Sequence, residues 1–169
     1  MKGKRKKKMV IKSELYDIMR EEVGMNTIKH HKEGRFKGKW MPPTFFNMIG
    51  NLYKTMYGWR VSYPHNLKLG YFTDIGTYTY IQAQFDVSIG NRTQIGSHCS
   101  IYSHDTERNI KGAVIIEDNV MIGAHTLILP NVIIREGTKV PAKSILDGGE
   151  WTKDNIKAKL KGFDLDDIK

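Results

Sequence analysis

Leu69, Ile75, Ile81, Ile89, Ile95, Ile101, Ile116, Ile122, Ile128, Ile134 and Val140 recur at six-residue intervals, broken by a step of 8 residues from Ile81 to Ile89 and one of 15 from Ile101 to Ile116. Glycine follows the aliphatic at Gly70, Gly76, Gly90, Gly96 and Gly123. A small residue or valine stands four places after it at Thr73, Thr79, Thr93, Cys99, Val120, Thr126, Val132, Thr138 and Ser144. A period of six matches neither a helix, which repeats every ~3.6 residues, nor an alternating strand. It matches a parallel β-helix, in which each hexad forms one flat side of a coil, so that a triangular coil takes about 18 residues. The aliphatic fills the prism, the small residue turns inward near the corner, and glycine permits a turn that a side chain obstructs.

The pattern divides the chain into residues 1–60, a basic tail and helical segment; 61–149, the β-helix; and 150–169, a C-terminal helix and tail. Val10, Leu15, Ile18, Met19 and Val23 predict a helix over 10–25, with Ser13 at its start. Residues 26–42 have no clean period and read as a basic loop. Pro42 and Pro43 mark a helix start, with Phe45, Phe46, Met48, Ile49, Leu52, Tyr53 and Met56 as a hydrophobic surface that covers the first coil. Gly148 and Gly149 read as a hinge before a short helix over 152–161.

Composition narrows the class. The chain has 169 residues, the size of one domain. Its hydrophobic content is 40%, and no stretch approaches the ~20 apolar residues of a membrane span. The charged amino terminus is not followed by the apolar run of a secretory leader. Cys99, the single cysteine, occupies an inward position and reads as core packing in a reducing cytoplasm. Of the net charge of +9, residues 2–8 supply six, and the remainder is +3. No aromatic residues interleave with that block and no nucleic-acid fold follows it, so it reads as a solvated tail rather than a nucleic-acid or membrane anchor.

The hexads Ile89-Gly-Asn-Arg-Thr-Gln, Ile95-Gly-Ser-His-Cys-Ser and Ile122-Gly-Ala-His-Thr-Leu resemble those of the left-handed β-helix (hexapeptide-repeat) acyltransferases. The segments Ile101-Tyr-Ser-His-Asp-Thr-Glu, Ile115-Ile-Glu-Asp-Asn-Val-Met-Ile-Gly-Ala-His and Ile128-Leu-Pro-Asn-Val resemble the sugar O- and N-acetyltransferases within that group. The handedness is implied by the resemblance alone, since parallel crossovers are otherwise right-handed. Three departures stand out: Asn131 and Lys143 occupy places where glycine is common, and Asp147-Gly-Gly-Glu-Trp replaces an Asn-Pro-Ala step.

The resemblance implies acetyl transfer from acetyl-CoA, with His104 as general base. Imidazole suits that role because its ordinary pKa of ~6.5 leaves it mostly neutral at cytoplasmic pH. Asp105 or Glu107 is expected to orient the ring. Counted as two hexads plus three residues, the step of 15 puts His125 on the side of His104, one coil away. Walls for the coenzyme are expected at Gly123, Ala124, His125, Thr138, Lys139, Ala142 and Lys143, with Arg135, Lys139 and Lys143 facing its phosphates. His98 is taken as structural or as a contact between subunits. The chemistry requires no metal.

Related prisms pack as trimers with active sites between subunits, so Tyr78, Tyr80, Phe85 and Met121 are expected to point outward and become buried there. Phe85 stands where a small residue is usual, and the slip beside it is expected to move it out of the prism. The expected acceptor is a nucleotide-linked amino sugar or a surface-polysaccharide precursor, with His31, Arg35 and Lys39 near a diphosphate. Two readings compete. One is a non-catalytic scaffold. The other is a γ-class carbonic anhydrase, whose His-x4-His pair does not match the spacings of 6 and 21 among His98, His104 and His125.

Overall fold

The hexad at Ile95 shows how the chain makes a coil. Ile95 ends a strand with its side chain inside, Gly96 leaves the strand, His98 turns the corner at φ 58°, and Cys99 points back into the core. The structure is a computed structural model and describes residues 42–161. The predicted helix over 10–25, His31, Arg35 and Lys39, and all but the last residue of the basic loop 26–42 lie outside the described residues.

Three parallel sheets form the prism. Side one stacks β3 (Arg60–Ser62), β6 (Tyr80–Gln82), β9 (Ser100–Tyr102), β14 (Leu127–Ile128) and β17 (Ile145–Leu146). Side two stacks β4 (Leu67–Leu69), β7 (Val87–Ile89), β12 (Val114–Ile116), β15 (Val132–Ile134) and β18 (Gly149–Trp151). Side three stacks β5 (Asp74–Ile75), β8 (Gln94–Ile95), β13 (Met121–Ile122) and β16 (Lys139–Val140). All eleven periodic aliphatics and all nine small residues are buried, as the pattern predicts. Each buried aliphatic contributes about 1.5–3 kcal/mol of transfer free energy. Most inward hydroxyls are paired, as where Thr79 Oγ1 donates to Gly96 O at 2.9 Å and Thr126 Oγ1 to Gly123 O at 2.8 Å, whereas Thr138 Oγ1 is buried without a partner among the described residues. That pairing is why threonine is tolerated in this core.

The glycines that follow the periodic aliphatic serve clearance rather than turn conformation. The position just before each inward small residue is left-handed, at Phe72, Tyr78, Arg92, His98, Asn119, His125, Asn131, Gly137 and Lys143, while Gly96 and Gly123 have ordinary φ. A Cβ on Gly96 would lie 2.5 Å from the backbone N of Ala124 in the next coil. Asn131, at φ 63°, takes the turn as expected.

Coil length varies, and the slips stack on one corner. The expected 18-residue offset holds from Leu127 to Ile145, but Arg60 pairs Tyr80 and Tyr80 pairs Ser100, each 20 residues on. The extra residues fall between sides one and two. There the third coil releases an antiparallel hairpin, β10 (His104–Asp105) and β11 (Ile110–Lys111). The step of 15 is therefore one hexad plus a nine-residue excursion, not two hexads plus three.

Residues 42–57 do not form the predicted helix. They form β1 (Phe45–Ile49) and β2 (Leu52–Thr55), an antiparallel hairpin in which β2 pairs with β3 and continues side one. The exposed edge of the first coil supplies unpaired backbone, and a strand satisfies it where a helix does not. Gly50, at φ 54°, makes the turn. Tyr53 is buried and Phe45 packs against the core, but Phe46, Met48, Ile49 and Met56 stay exposed, so the segment covers the first coil as strands and with only part of the expected surface. At the other end Gly148 and Gly149 are not a hinge. They turn the chain into β18, which pairs with β15 and buries Trp151. Helix α1 (Ile156–Lys161) follows, within the predicted 152–161. Thr152 and Asn155 cap its approach reciprocally, at 2.8 and 3.1 Å. Among the described residues no helix is long and apolar enough to cross a membrane.

Candidate functional site

His104 opens the excursion, directly after the fully buried Ser103. Its ring stands edge-on to Phe85, centroids 5.3 Å apart, and its Nε2 is buried with no hydrogen-bond partner among the described residues. Phe85 reaches this place because the slip in the second coil carries it out of the prism, as expected, and Val87 fills the core instead. The Phe85 N–H donates to Ser103 Oγ at 2.9 Å, which fixes the two coils against each other. Lys111 pairs with His104 across the hairpin and holds its ammonium 5.5 Å from the Phe85 ring centre. A buried imidazole nitrogen with no partner is able to take a proton from a group brought to it.

Neither proposed orienting carboxylate bonds to His104 among the described residues. Asp105 accepts from the backbone N–H groups of Glu107 and Arg108, at 3.1 and 3.2 Å, and from Arg108 Nε at 2.6 Å. The Arg108 hydrogen bond holds the Asp105 carboxyl below its ordinary range. Neighbouring residues of a strand project to opposite sides, so Asp105 turns away from the His104 face. Glu107 is exposed at the tip of the hairpin.

The residues expected to line the coenzyme separate into two groups. Gly123, Ala124, His125, Ala142 and Lys143 share the corner between sides three and one, where Gly123 N donates to Val140 O and Lys143 N to Ala124 O, both at 2.9 Å. Lys139 is exposed on side three, leading to that corner. Thr138 does not belong with them, because its side chain faces the core. Arg135 is not free for a phosphate. It bonds Glu117 and Glu150, each at 2.7 Å, between sides two and three. His125 is not the neighbour of His104 that the spacing suggests; it stacks on His98 at the corner between sides three and one.

Of the outward residues, Tyr78 and Met121 are exposed, while Tyr80 and Phe85 are half-buried. Cys99 is core packing, and burial raises its thiol pKa. Among the described residues no three His, Cys, Asp or Glu side chains converge as a metal site. Sequence reasoning missed Arg108, Asp147, Lys111 and the contact of Phe85 with His104. Asp147 carried a signal, since it opens the segment that departs from the hexapeptide pattern.

A triangular prism of hexapeptide coils with one histidine-bearing excursion defines a β-solenoid protein of the hexapeptide-repeat class. No protein-family model matches the chain. It is 32% identical over 134 residues to the Bacillus subtilis (strain 168) protein named "Putative acetyltransferase YvoF", covering 69% of this chain and 74% of that one. It is also similar to the crystal structure of the hexapeptide-repeat containing acetyltransferase VCA0836 from Vibrio cholerae, with TM-score 0.51, 23% identity and coverage of 56% of this chain and 58% of that one. A structure of VCA0836 complexed with acetyl coenzyme A, from Vibrio cholerae O1 biovar eltor, gives TM-score 0.51 and 23% identity over 56% of each chain. The chain thus matches a little over half the length of these solved neighbours. The chain belongs to the hexapeptide-repeat acyltransferase family of left-handed β-helices.

Proposed function

We propose that this chain transfers the acetyl group of acetyl-CoA to an amine or hydroxyl of a sugar, with His104 as general base. The observation that carries the reading is the buried Nε2 of His104, without a partner among the described residues, on a ring held against Phe85. Acetyl-CoA supplies an activated thioester. As the acceptor heteroatom attacks the thioester carbonyl, its proton passes to His104 Nε2. When the C–S bond breaks, the imidazolium returns that proton to the leaving sulfur, and the base is regenerated. Direct transfer needs no covalent enzyme intermediate, in keeping with the burial of Cys99.

Gly123, Ala124, His125, Ala142 and Lys143 form the coenzyme wall in this proposal, and Lys139 and Lys143 supply positive charge for its phosphates. That corner and His104 stand at opposite edges of side one of the same chain. A complete site therefore joins the His104 corner of one copy to the coenzyme corner of another, and a closed ring of three copies provides three such sites. We place the acceptor among nucleotide-linked amino sugars or surface-polysaccharide precursors, and the enzyme in the cytoplasm. Support for the acceptor class is the resemblance of segments 101–107 and 115–125 to sugar acetyltransferases.

The test is thiol release from acetyl-CoA with a panel of nucleotide-linked amino sugars and simple sugars, for wild type and His104→Ala. Turnover that falls ~10²-fold or more in the variant is expected of a general base. No turnover on any acceptor, together with no CoA binding by calorimetry, would overturn the reading in favour of a scaffold.

A further inference from the structure

The excursion that carries His104 is tied down by one guanidinium. Arg108 Nε donates to Asp105 Oδ2 at 2.6 Å within the hairpin. Its other edge is bidentate to Asp147, Nη1 to Oδ2 at 2.6 Å and Nη2 to Oδ1 at 3.0 Å. Asp147 directly follows Leu146, which is fully buried at the end of β17, so its carboxylate is anchored to the last coil. The hairpin leaves the third coil, and β14 lies between β9 and β17. The bridge therefore spans two coil steps and holds the hairpin tip against side one. From the other direction Phe85, in the second coil, holds the His104 ring.

We propose that Asp147 is a positioning residue for acyl transfer: through Arg108 it fixes the β10–β11 excursion and thereby sets where the His104 ring stands. The inference rests on the reading of His104 as the general base. Exposed ion pairs contribute little to global stability, but a bidentate fork restricts geometry. Only arginine satisfies two carboxylates on two edges at once, because its donors lie in one rigid plane. Asp147 stands in the segment where this chain departs from the hexapeptide pattern, so the tether is a feature of this chain's own ending.

The experiment compares Asp147→Ala, Asp147→Glu, Arg108→Lys and His104→Ala with wild type, with Asp154→Asn as an exposed control on the same C-terminal segment. Steady-state kinetics, Tm and the His104 ring resonances are read for each. Loss of the tether is expected to lower kcat between about 10- and 100-fold, the scale of a small misplacement of a reacting group. The KM for acetyl-CoA and the Tm should stay near wild type, because the tether joins only Asp105, Arg108 and Asp147 of one chain and includes none of the residues assigned to the coenzyme corner. Asp147→Glu should recover most of the rate and Arg108→Lys should not. Unchanged kcat in Asp147→Ala while His104→Ala is inactive overturns the tether alone. Full activity in His104→Ala overturns the base and the tether together. A fall in activity that tracks a fall in Tm also overturns the proposal. If no tested acceptor is turned over, the resonances decide: His104 signals that shift in Asp147→Ala but not in Asp154→Asn support the tether, and unmoved signals overturn it.

Discussion

His98 and His125 stack ring on ring, their centroids 4.8 Å apart and their planes 16° from parallel. Tyr78 extends the stack at 5.0 Å from His98. All three residues turn the same corner in successive coils, with φ of 64°, 58° and 57° for Tyr78, His98 and His125. Their spacing is close to the ~4.8 Å between paired strands, so the coil repeat sets the ring separation. Side one separates this column, His125 included, from His104. The column also places His125, Ala124 and Lys143 on one continuous ridge.

The ridge stands on glycines that tolerate no side chain. A Cβ on Gly96 would meet the backbone N and Cα of Ala124 at 2.5 and 2.7 Å, and backbone cannot rotate aside. Gly96→Ala is expected to cost about 1–3 kcal/mol, as overpacking does. Gly148 differs, since a Cβ there meets nothing within 4 Å and only its φ of 55° is unfavourable. Gly148→Ala should cost about 1 kcal/mol. Urea unfolding of both variants checks this. A Gly96→Ala cost no larger than that of Gly148→Ala would refute the clearance role.

Much of the prism was legible because its rule is local and repeated. Burial at Ile75, Ile101 and Ile134 follows from position in the hexad, and the excursion at His104 follows from the break in the clock. The residues beyond the repeat were legible only in part. Phe45 to Met56 has enough apolar residues for either a helix or a strand, and the free edge of β3 decides for the strand. The residues that hold the His104 excursion were hidden for a related reason. Phe85 and Asp147 come from the second and last coils, and the length of the excursion sets which coil they meet. Counting the step of 15 as two hexads plus three gave the wrong neighbour for His104, and nothing within residues 101–116 distinguishes the two counts.

Cys99 tests the interior reading. Its thiol donates to Gly123 O at 3.3 Å, and burial pushes its pKa up. A raised pKa stabilises the fold below the ordinary thiol value of ~8.5, and the contribution is lost as pH rises above it. Native protein is therefore expected to resist alkylation by iodoacetamide at pH 8 and to react readily once unfolded in urea. Acetyl transfer by Cys99→Ser should remain within a few-fold of wild type. Rapid labelling of the native protein would contradict the burial.

Acid should weaken the surface network. Arg135 hydrogen bonds hold Glu117 and Glu150 below the ordinary carboxylate range, and the Asn91 side chain does the same for Asp118. Lowered values stabilise the fold above the ordinary carboxylate pKa of ~4, and that stabilisation disappears as pH falls through the lowered values. These groups lie near the surface, so the effect is modest and screened by salt. Tm should decline below about pH 4, less steeply in Glu117→Gln/Glu150→Gln than in wild type. Identical acid limbs would show that the Arg135 bridges contribute nothing.

The proposed sharing of the site between copies makes a mixing prediction. His104→Ala removes the proposed base in one variant. In a second, Ala142→Trp places a large ring on the exposed coenzyme corner, where it should raise the acetyl-CoA KM with little change in Tm, because Ala142 is exposed. Assayed at acetyl-CoA near the wild-type KM and far below that of Ala142→Trp, each variant alone is expected to be nearly inactive. When the two are unfolded together and refolded at equal amounts, a site is intact wherever a His104→Ala copy supplies the corner and an Ala142→Trp copy supplies the histidine. Random assembly of a closed ring then restores about a quarter of wild-type activity. If one chain supplied both parts, every site in the mixture would carry one lesion and no activity would return. Sedimentation of the mixture, which should show a species of three chains, separates failed assembly from a site contained in one chain.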